Sequence, residues 1–188
     1  DSPSHLFLCT RAMVPTHNTK TVVGFAEYNA AHRRRKLAIW QPTDDDRDSF
    51  VKSEITPSFD ICRALDPVRR LGRDDDTIKF KRFRGSVQHY LGAKAARSFR
   101  RITIAVGILD EVDAMDQVVE KTIDPVTGAK GRLEGAPFPK LILGTTPRHK
   151  FTSHVRRRVQ AADAVMEFRI DCPYCGAENK QMCHSCRT

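Results

Sequence analysis

The stretch that most limits what this chain can become is Arg101-Ile102-Thr103-Ile104-Ala105-Val106-Gly107-Ile108-Leu109, an apolar run that ends in the adjacent carboxylates Asp110 and Glu111. A continuous run rich in Ile and Val and bounded by charge predicts a strand buried on both faces, the habit of a central parallel strand. In open α/β sheets the ligand crevice lies outside the carboxyl ends of the strands. Asp110 and Glu111 are therefore expected where a nucleotide and its Mg²⁺ would sit, in a Walker B arrangement. One carboxylate would hold the hydrated cation while its neighbour orients or deprotonates an attacking water. The alternative is that the pair marks a strand running out into solvent.

The flanking chain alternates strands with helices. Near the start, His5 to Cys9 reads as a strand, Thr10 to Asn18 as a loop, and Thr19-Lys20-Thr21 as the opening of a helix with Val22, Val23, Phe25, Ala26 and Ala30 on its buried side and Tyr28 as a further candidate for it. Leu37 to Trp40 reads as the next strand, after which Thr43 and Asp46 form a capping box for a helix running towards Glu54. Residues 60–76 read as loop at Asp66-Pro67, Leu71-Gly72 and Asp74-Asp75-Asp76, with room for one short helix. Thr77–Phe83 and Ser86–Leu91 pair around Arg84-Gly85, and Ala93 to Arg100 is a short helix or turn. Beyond Glu111 an acidic helix to about Glu120 is expected, then a turn at Asp124–Gly128 and an exposed loop to Pro139. Lys140 to Gly144 is a further strand, Thr152 to Ala162 a basic helix and Ala164 to Ile170 a last strand. The pattern predicts an α/β domain over residues 1–170, a mostly parallel sheet with helices on both faces, followed by a small C-terminal element at 171–188.

Three constellations carry chemistry. Lys20-Thr21 at a helix start suits phosphate, which the free N–H groups and the dipole of a helix N-terminus attract. A Walker A loop, G-x-x-x-x-G-K-[ST], would place its glycines at Val14 and Thr19, and both are missing. An ordinary Lys-Thr at a helix start is the alternative. Gly144-Thr145-Thr146-Pro147 brings hydroxyls to a strand tip, where they would sense a γ phosphate, or else simply ends the strand. Cys172-x-x-Cys175 and Cys183-x-x-Cys186 form two knuckles seven residues apart. Four thiolates satisfy tetrahedral, structural Zn²⁺, and two disulfides are the alternative. Cys9 and Cys62 have no partner by spacing.

A net charge of +9 and a pI near 9.5 direct the surface towards polyanions, nucleic acid first. The clusters His32–Lys36, Lys79–Arg84, Lys94 with Arg97, Arg100 and Arg101, and Arg156–Arg158 suit a DNA backbone as a set, although each alone reads as a solvated face. No apolar stretch approaches the roughly 20 residues that span a bilayer, so no membrane partner and a cytoplasmic location are expected. A chain that starts at Asp1 and stops soon after a cysteine pair is expected to be a piece of a longer protein.

With these residues in view, the chain resembles the ATPase domain of the large terminase subunit of tailed phages, the GpA type of lambda-like phages. The resemblance runs from about Thr19 to Gly176. Its carriers are Ile39-Trp40-Gln41-Pro42-Thr43-Asp44, Lys81-Arg82-Phe83, Leu91 to Arg97, the Asp110-Glu111 strand end, Arg132-Leu133-Glu134-Gly135, Gly144 to Pro147 and Cys172 to Gly176. It implies a P-loop, RecA-like ASCE fold and an ATP-driven motor that translocates double-stranded DNA into a preformed capsid. It further implies a small terminase subunit, a portal and procapsid as partners in the host cytoplasm, and a homo-oligomer when assembled. Lys20, Thr21 and Thr19 match the phosphate-binding loop, with Arg11 at the loop's basic start. Asp110 matches the Mg²⁺ carboxylate with Thr21 beside it, Glu111 the catalytic carboxylate, and Thr145 and Thr146 the coupling motif. The missing loop glycines and the close second cysteine pair depart from the pattern. The alternatives are a helicase-like ATPase, suggested by Asp110-Glu111-Val112-Asp113, and a catalytically dead, zinc-containing DNA-binding or assembly module.

Overall fold

Side chains alternate across a strand, and in β3 (Leu37–Gln41) every residue is buried, so the strand must feed two cores at once. The computed structural model describes residues 7–9, 14–16, 18–70, 72, 74–145, 153–164, 170–171 and 178–179. Leu37 and Ile39 enter one core with Val106 and Ile108, against Val23 and Ala26 of α1 (Asn18–Tyr28), Phe50 of α2 (Asp44–Phe50) and Phe59 of α3 (Thr56–Ile61). Ala38 and Trp40 enter the other with Leu109, Phe99, Val112 and Val126. Trp40 stacks on Phe99 with ring centroids 5.4 Å apart and donates from Nε1 to the Ser98 carbonyl at 3.1 Å, so the indole is both packed and satisfied.

The remaining strands are β4 (Phe80–Phe83), β5 (Ser86–Gly92), β6 (Val106–Leu109) and β7 (Lys140–Leu143). They form a five-stranded sheet of order β4-β5-β3-β6-β7, in which β5, β3, β6 and β7 are parallel and β4 is an antiparallel edge. This is the expected mixed α/β fold with a mostly parallel sheet. Thr43 caps α2 as expected, its hydroxyl accepting the Asp46 N–H at 3.0 Å. Gln88 reaches from β5 to the Ala26 carbonyl at 2.7 Å and ties α1 to the sheet.

Several local expectations give way to tertiary structure. The central strand starts only at Val106: Arg101 has φ 60°, and the Ile104 and Ala105 N–H groups bond the carbonyls of Arg132 and Lys36 instead of a ladder. The acidic helix after Glu111 is replaced by a 3₁₀ turn at Val112–Ala114. Positive φ at Glu111, Glu120 and Lys121 bends the path so that Val112, Met115 and Val119 reach the second core. Asp124 to Gly128 is a helix start rather than a turn: Asp124 accepts the Thr127 N–H at 2.8 Å and Pro125 occupies the first position of α4 (Pro125–Lys130). At the N-terminus β1 (Phe7–Cys9) pairs antiparallel with β2 (Val14–Thr16), which falls inside the expected loop, and neither joins the five-stranded sheet.

The chain divides into two compact units, Asp1–Val155 and Arg156–Thr188. Helix α5 (His154–Gln160) corresponds to the expected basic helix. In the second unit β8 (Ile170–Asp171) pairs antiparallel with β9 (Glu178–Asn179). Most of the strand expected at Ala164–Ile170 lies outside the described residues, as do Cys172, Cys175, Cys183 and Cys186. No helix among the described residues is long and apolar enough to cross a membrane.

The basic edge strand β4 is held by an internal ion network. The Lys81 side chain is only 4% exposed; its ammonium donates to Asp76, which also receives Arg69 at 2.9 Å. Burial pushes the Asp76 carboxyl up, but the hydrogen bonds and charges of Lys81 and Arg69 outweigh it and hold the group below its ordinary value. Removing one partner of such a set strands a buried charge. Asp76→Ala is expected to cost about 3–5 kcal/mol in denaturant unfolding, with Lys81→Met in the same background restoring much of it. Because the folded pKa is lowered, the Asp76 contribution is complete above the ordinary carboxylate value and is lost as pH falls through the folded one.

Candidate functional site

Four parallel strands end on the same side of the sheet, and there the chain changes from apolar to polar. Trp40 of β3 is in register with Leu109 of β6, so Gln41 and Asp110 leave the sheet as neighbours. Asp110 donates its N–H to the Trp40 carbonyl at 3.0 Å, and its Oδ2 accepts from Gln41 Nε2 at 3.0 Å. The carboxyl is buried. Burial raises its pKa above the ordinary value, opposed by the Gln41 hydrogen bond and the Glu111 backbone N–H. Glu111 follows in the left-handed region with φ 51°, which turns the chain sharply and leaves this second carboxylate half-buried at the lip of a cleft.

That cleft, of about 570 Å³, is lined among others by Thr19, Gln41, Asp46, Lys94, Asp110 and Glu111. Lys94 is its one basic lining residue among the described residues. Gly92, which delivers Lys94 from the end of β5, has no room for a side chain: an added Cβ would meet the Asp44 nitrogen at 2.6 Å and the Thr43 carbonyl carbon at 2.8 Å. Gly144 at the end of β7 plays a milder version of the same part, since a Cβ there would stand 3.3 Å from Asp110 Oδ1.

The tips of β6 and β7 are laced together. Leu109 accepts the Gly144 N–H at 2.9 Å, Gly144 accepts the Val112 N–H at 3.0 Å, and the Thr145 hydroxyl accepts the Asp113 N–H at 3.2 Å. Asp113 then caps α5, accepting the His154 N–H at 2.7 Å.

Of the residues singled out in the sequence, Asp110, Glu111 and Thr19 meet at the cleft. Thr145 is half-buried, its hydroxyl on the Asp113 N–H, and is not part of the cleft lining. Lys20 and Thr21 are exposed and do not line it; the Lys20 side chain is 58% exposed and its ammonium lies 2.6 Å from Glu54. Arg11 and Thr146 lie outside the described residues. Gln41 and Gly92 have roles here that sequence reasoning did not assign. The signal for Gln41 was its place one residue past a buried strand, level with Asp110; that for Gly92 is visible only once α2 is packed beside it.

Among the described residues no three His, Cys, Asp or Glu side chains come together to enclose a metal. A single oriented carboxylate beside an open cleft suits a cation that keeps waters and phosphate oxygens in its shell, as Mg²⁺ does. Asp110 fits that requirement because a divalent charge would offset the burial that now disfavours its ionised form.

The family model for the phage terminase large subunit gpA, ATPase domain, matches residues 9–186. The chain is 34% identical over 164 residues to the large terminase subunit of Escherichia phage lambda and 32% identical over 164 residues to that of Enterobacteria phage P21. Each match covers 85% of this chain and 26% of the relative, so the chain spans about a quarter of those relatives' length. Among solved structures, the Thermus phage P74-26 large terminase ATPase domain superposes with a TM-score of 0.49 at 14% identity, over 71% of this chain and 57% of that one.

A carboxylate whose ionisation burial disfavours should destabilise the fold at neutral pH. Asp110→Asn, which keeps an acceptor for Gln41, is expected to raise the melting temperature; each 1 kcal/mol gained corresponds to about 2–4 °C. A drop of similar size in a thermal melt would mean that the charge stabilises the fold.

Proposed function

Because the chain belongs to the phage terminase large subunit gpA ATPase-domain family, we propose that it is the ATP-hydrolysing part of a machine that moves double-stranded viral DNA into a preformed capsid. The observation that carries this reading is the carboxylate pair at the end of the central parallel strand, Asp110 buried and oriented by Gln41, Glu111 turned towards the cleft. Mg²⁺, when bound with the nucleotide, would neutralise phosphate charge. Asp110 and Thr21 are the residues assigned to its shell. Glu111 orients the attacking water and takes its proton. Thr19, Lys20 and Thr21 form the phosphate end of the site with Arg11. For this, Lys20 has to exchange Glu54 for phosphate, and Thr21, exposed outside the cleft lining here, has to be brought to it. Lys94, on the cleft wall, supplies a second cation. Thr145 and Thr146 sense the γ phosphate, and the Thr145–Asp113–His154 chain of hydrogen bonds provides a route to α5.

In this reading residues 1–170 form the P-loop, RecA-like ATPase domain and 171–188 a Zn²⁺ element in which Cys172, Cys175, Cys183 and Cys186 supply four thiolates. The assembled motor is a homo-oligomer that meets the small terminase subunit and the portal of the procapsid in the host cytoplasm. A second reading, a DNA-binding or assembly module without turnover, is favoured by one observation: the ion pair of Lys20 with Glu54 outside the cleft lining.

Calorimetry with Mg-ATP separates the two. Binding that disappears in Lys20→Ala supports the ATPase, and no binding in either protein supports the second reading. Glu111→Gln is expected to keep Mg-ATP affinity while hydrolysis falls by about 10²-fold or more, measured as phosphate release. Asp110 must be ionised to serve the cation, so Mg-ATP binding should fail as pH falls through its raised pKa. Gln41→Leu removes a hydrogen bond that lowers that pKa, and the acid limb of the binding profile is expected to move to higher pH.

A further inference from the structure

A second pocket, of about 380 Å³, opens on the outer face of the β4–β5 hairpin. Register places Phe80 opposite His89 and Arg82 opposite Val87, so these four share one face of the hairpin. Lys81, Phe83, Gln88 and Tyr90 take the other face and are buried. Lys36, immediately before β3, and Arg70, whose N–H bonds the Arg82 carbonyl at 3.2 Å, complete the pocket wall.

Three cations therefore surround one pocket. The Arg82 guanidinium lies 5.3 Å from the Phe80 ring centroid and 3.6 Å from Asp75. Lys36 and Arg70 are exposed, and among the described residues neither has a carboxylate within ion-pair distance. Burial, then the charges of Lys36 and Arg82, hold His89 below its ordinary value, so at neutral pH it offers a ring N–H without adding charge. Ser86 also borders the pocket, but it pairs with Phe83 on the buried face of the hairpin, so its hydroxyl is not one of the donors offered. One carboxylate against three cations leaves the pocket with uncompensated positive charge and spare donors, which an anion with several oxygens would satisfy. Among the described wall residues there is no amide side chain and no helix to enter a groove, and cations along a hairpin face suit contact with a backbone.

We propose that this pocket takes a phosphodiester group of a nucleic-acid backbone, at a site separate from the nucleotide cleft. Assigning the polymer to double-stranded DNA rests on the packaging role proposed above; the pocket itself does not. Lys36 precedes β3 and Gln41 ends it, so pocket and cleft lie at opposite ends of one strand, roughly 16 Å apart at about 3.3 Å per residue. Both can be occupied together.

The test is fluorescence anisotropy of a labelled short DNA duplex with the whole chain and a Lys36→Ala/Arg70→Ala variant, across a salt series. The variant is expected to bind about tenfold more weakly and to lose close to two from the slope of log affinity against log salt, about 0.9 per phosphate contact, with Mg-ATP binding unchanged. Unchanged affinity and slope would overturn the proposal. A Lys36→Arg/Arg70→Lys variant, which preserves charge, is expected to bind as the parent does, and its failure would also count against a backbone site. Inorganic phosphate and polyglutamate of equal total charge serve as competitors. Displacement of DNA by either at the concentration at which unlabelled duplex competes would overturn the polymer assignment, in favour of a free anion or an acidic peptide. If the parent chain binds no Mg-ATP yet shows the expected loss of DNA affinity in the alanine variant, the catalytic reading fails and this one stands.

Discussion

A parallel strand covered on both faces can place polar side chains only where it ends. β3 and β6 bury every residue from Leu37 to Gln41 and from Val106 to Leu109, and the two cores they separate leave no interior position for a charge that lacks a partner. Asp110 is the first residue past that limit, and the fold still buries it, supported by Gln41 and a backbone N–H. Much of the local geometry serves this placement: the left-handed turn at Glu111, the bare Cα of Gly144 beside Asp110, and the stitched tips of β6 and β7. A carboxylate held against the preference of its surroundings is a stored electrostatic demand, and such demands gather at functional sites.

The positive charge of the chain divides into two populations that the sequence does not separate. Lys81 and Arg69 are spent on Asp76, Arg47 on Asp44 and Asp48, and Arg35 on the carbonyls of Pro137 and Phe138. These cations secure an edge strand, a helix start and a loop, and their geometry removes them from any role in tracking a polyanion. Lys36, Arg70 and Lys94 belong to the other population, exposed and without a carboxylate at ion-pair distance among the described residues. A run such as Lys79–Arg84 thus contains both kinds: Lys81 is buried on Asp76, while Lys79 and Arg84 are exposed with no carboxylate at ion-pair distance among the described residues.

The legible parts of the chain were those in which a local signal and burial agree. Leu37 to Trp40, the hairpin around Arg84-Gly85, the Thr43 cap and the strand at Lys140 all carry patterns that short-range physics suffices to interpret. The segment from Glu111 to Glu120 was misleading for a definite reason. Val112, Met115 and Val119 have helical spacing, but a helix would carry Asp113 away from the Thr145 hydroxyl and the N-terminus of α5, which it joins here. The start of α4 was within reach, since Asp124-Pro125 carries both an N-cap and a first-turn proline.

What the sequence determined by itself was composition at strand ends: an apolar run must be buried, so the carboxylates that close it must emerge at the sheet's carboxyl edge. The family resemblance rested on motifs of that kind, and the family match bears it out. Tertiary structure alone decided which residues meet there. It set Gln41 against Asp110 through the β3–β6 register, required a glycine at position 92 because α2 packs on its Cα, and paired Lys20 with Glu54 from the helical segment that follows α2. These are contacts between residues tens of positions apart, fixed by strand order and helix packing, and no local pattern encodes them.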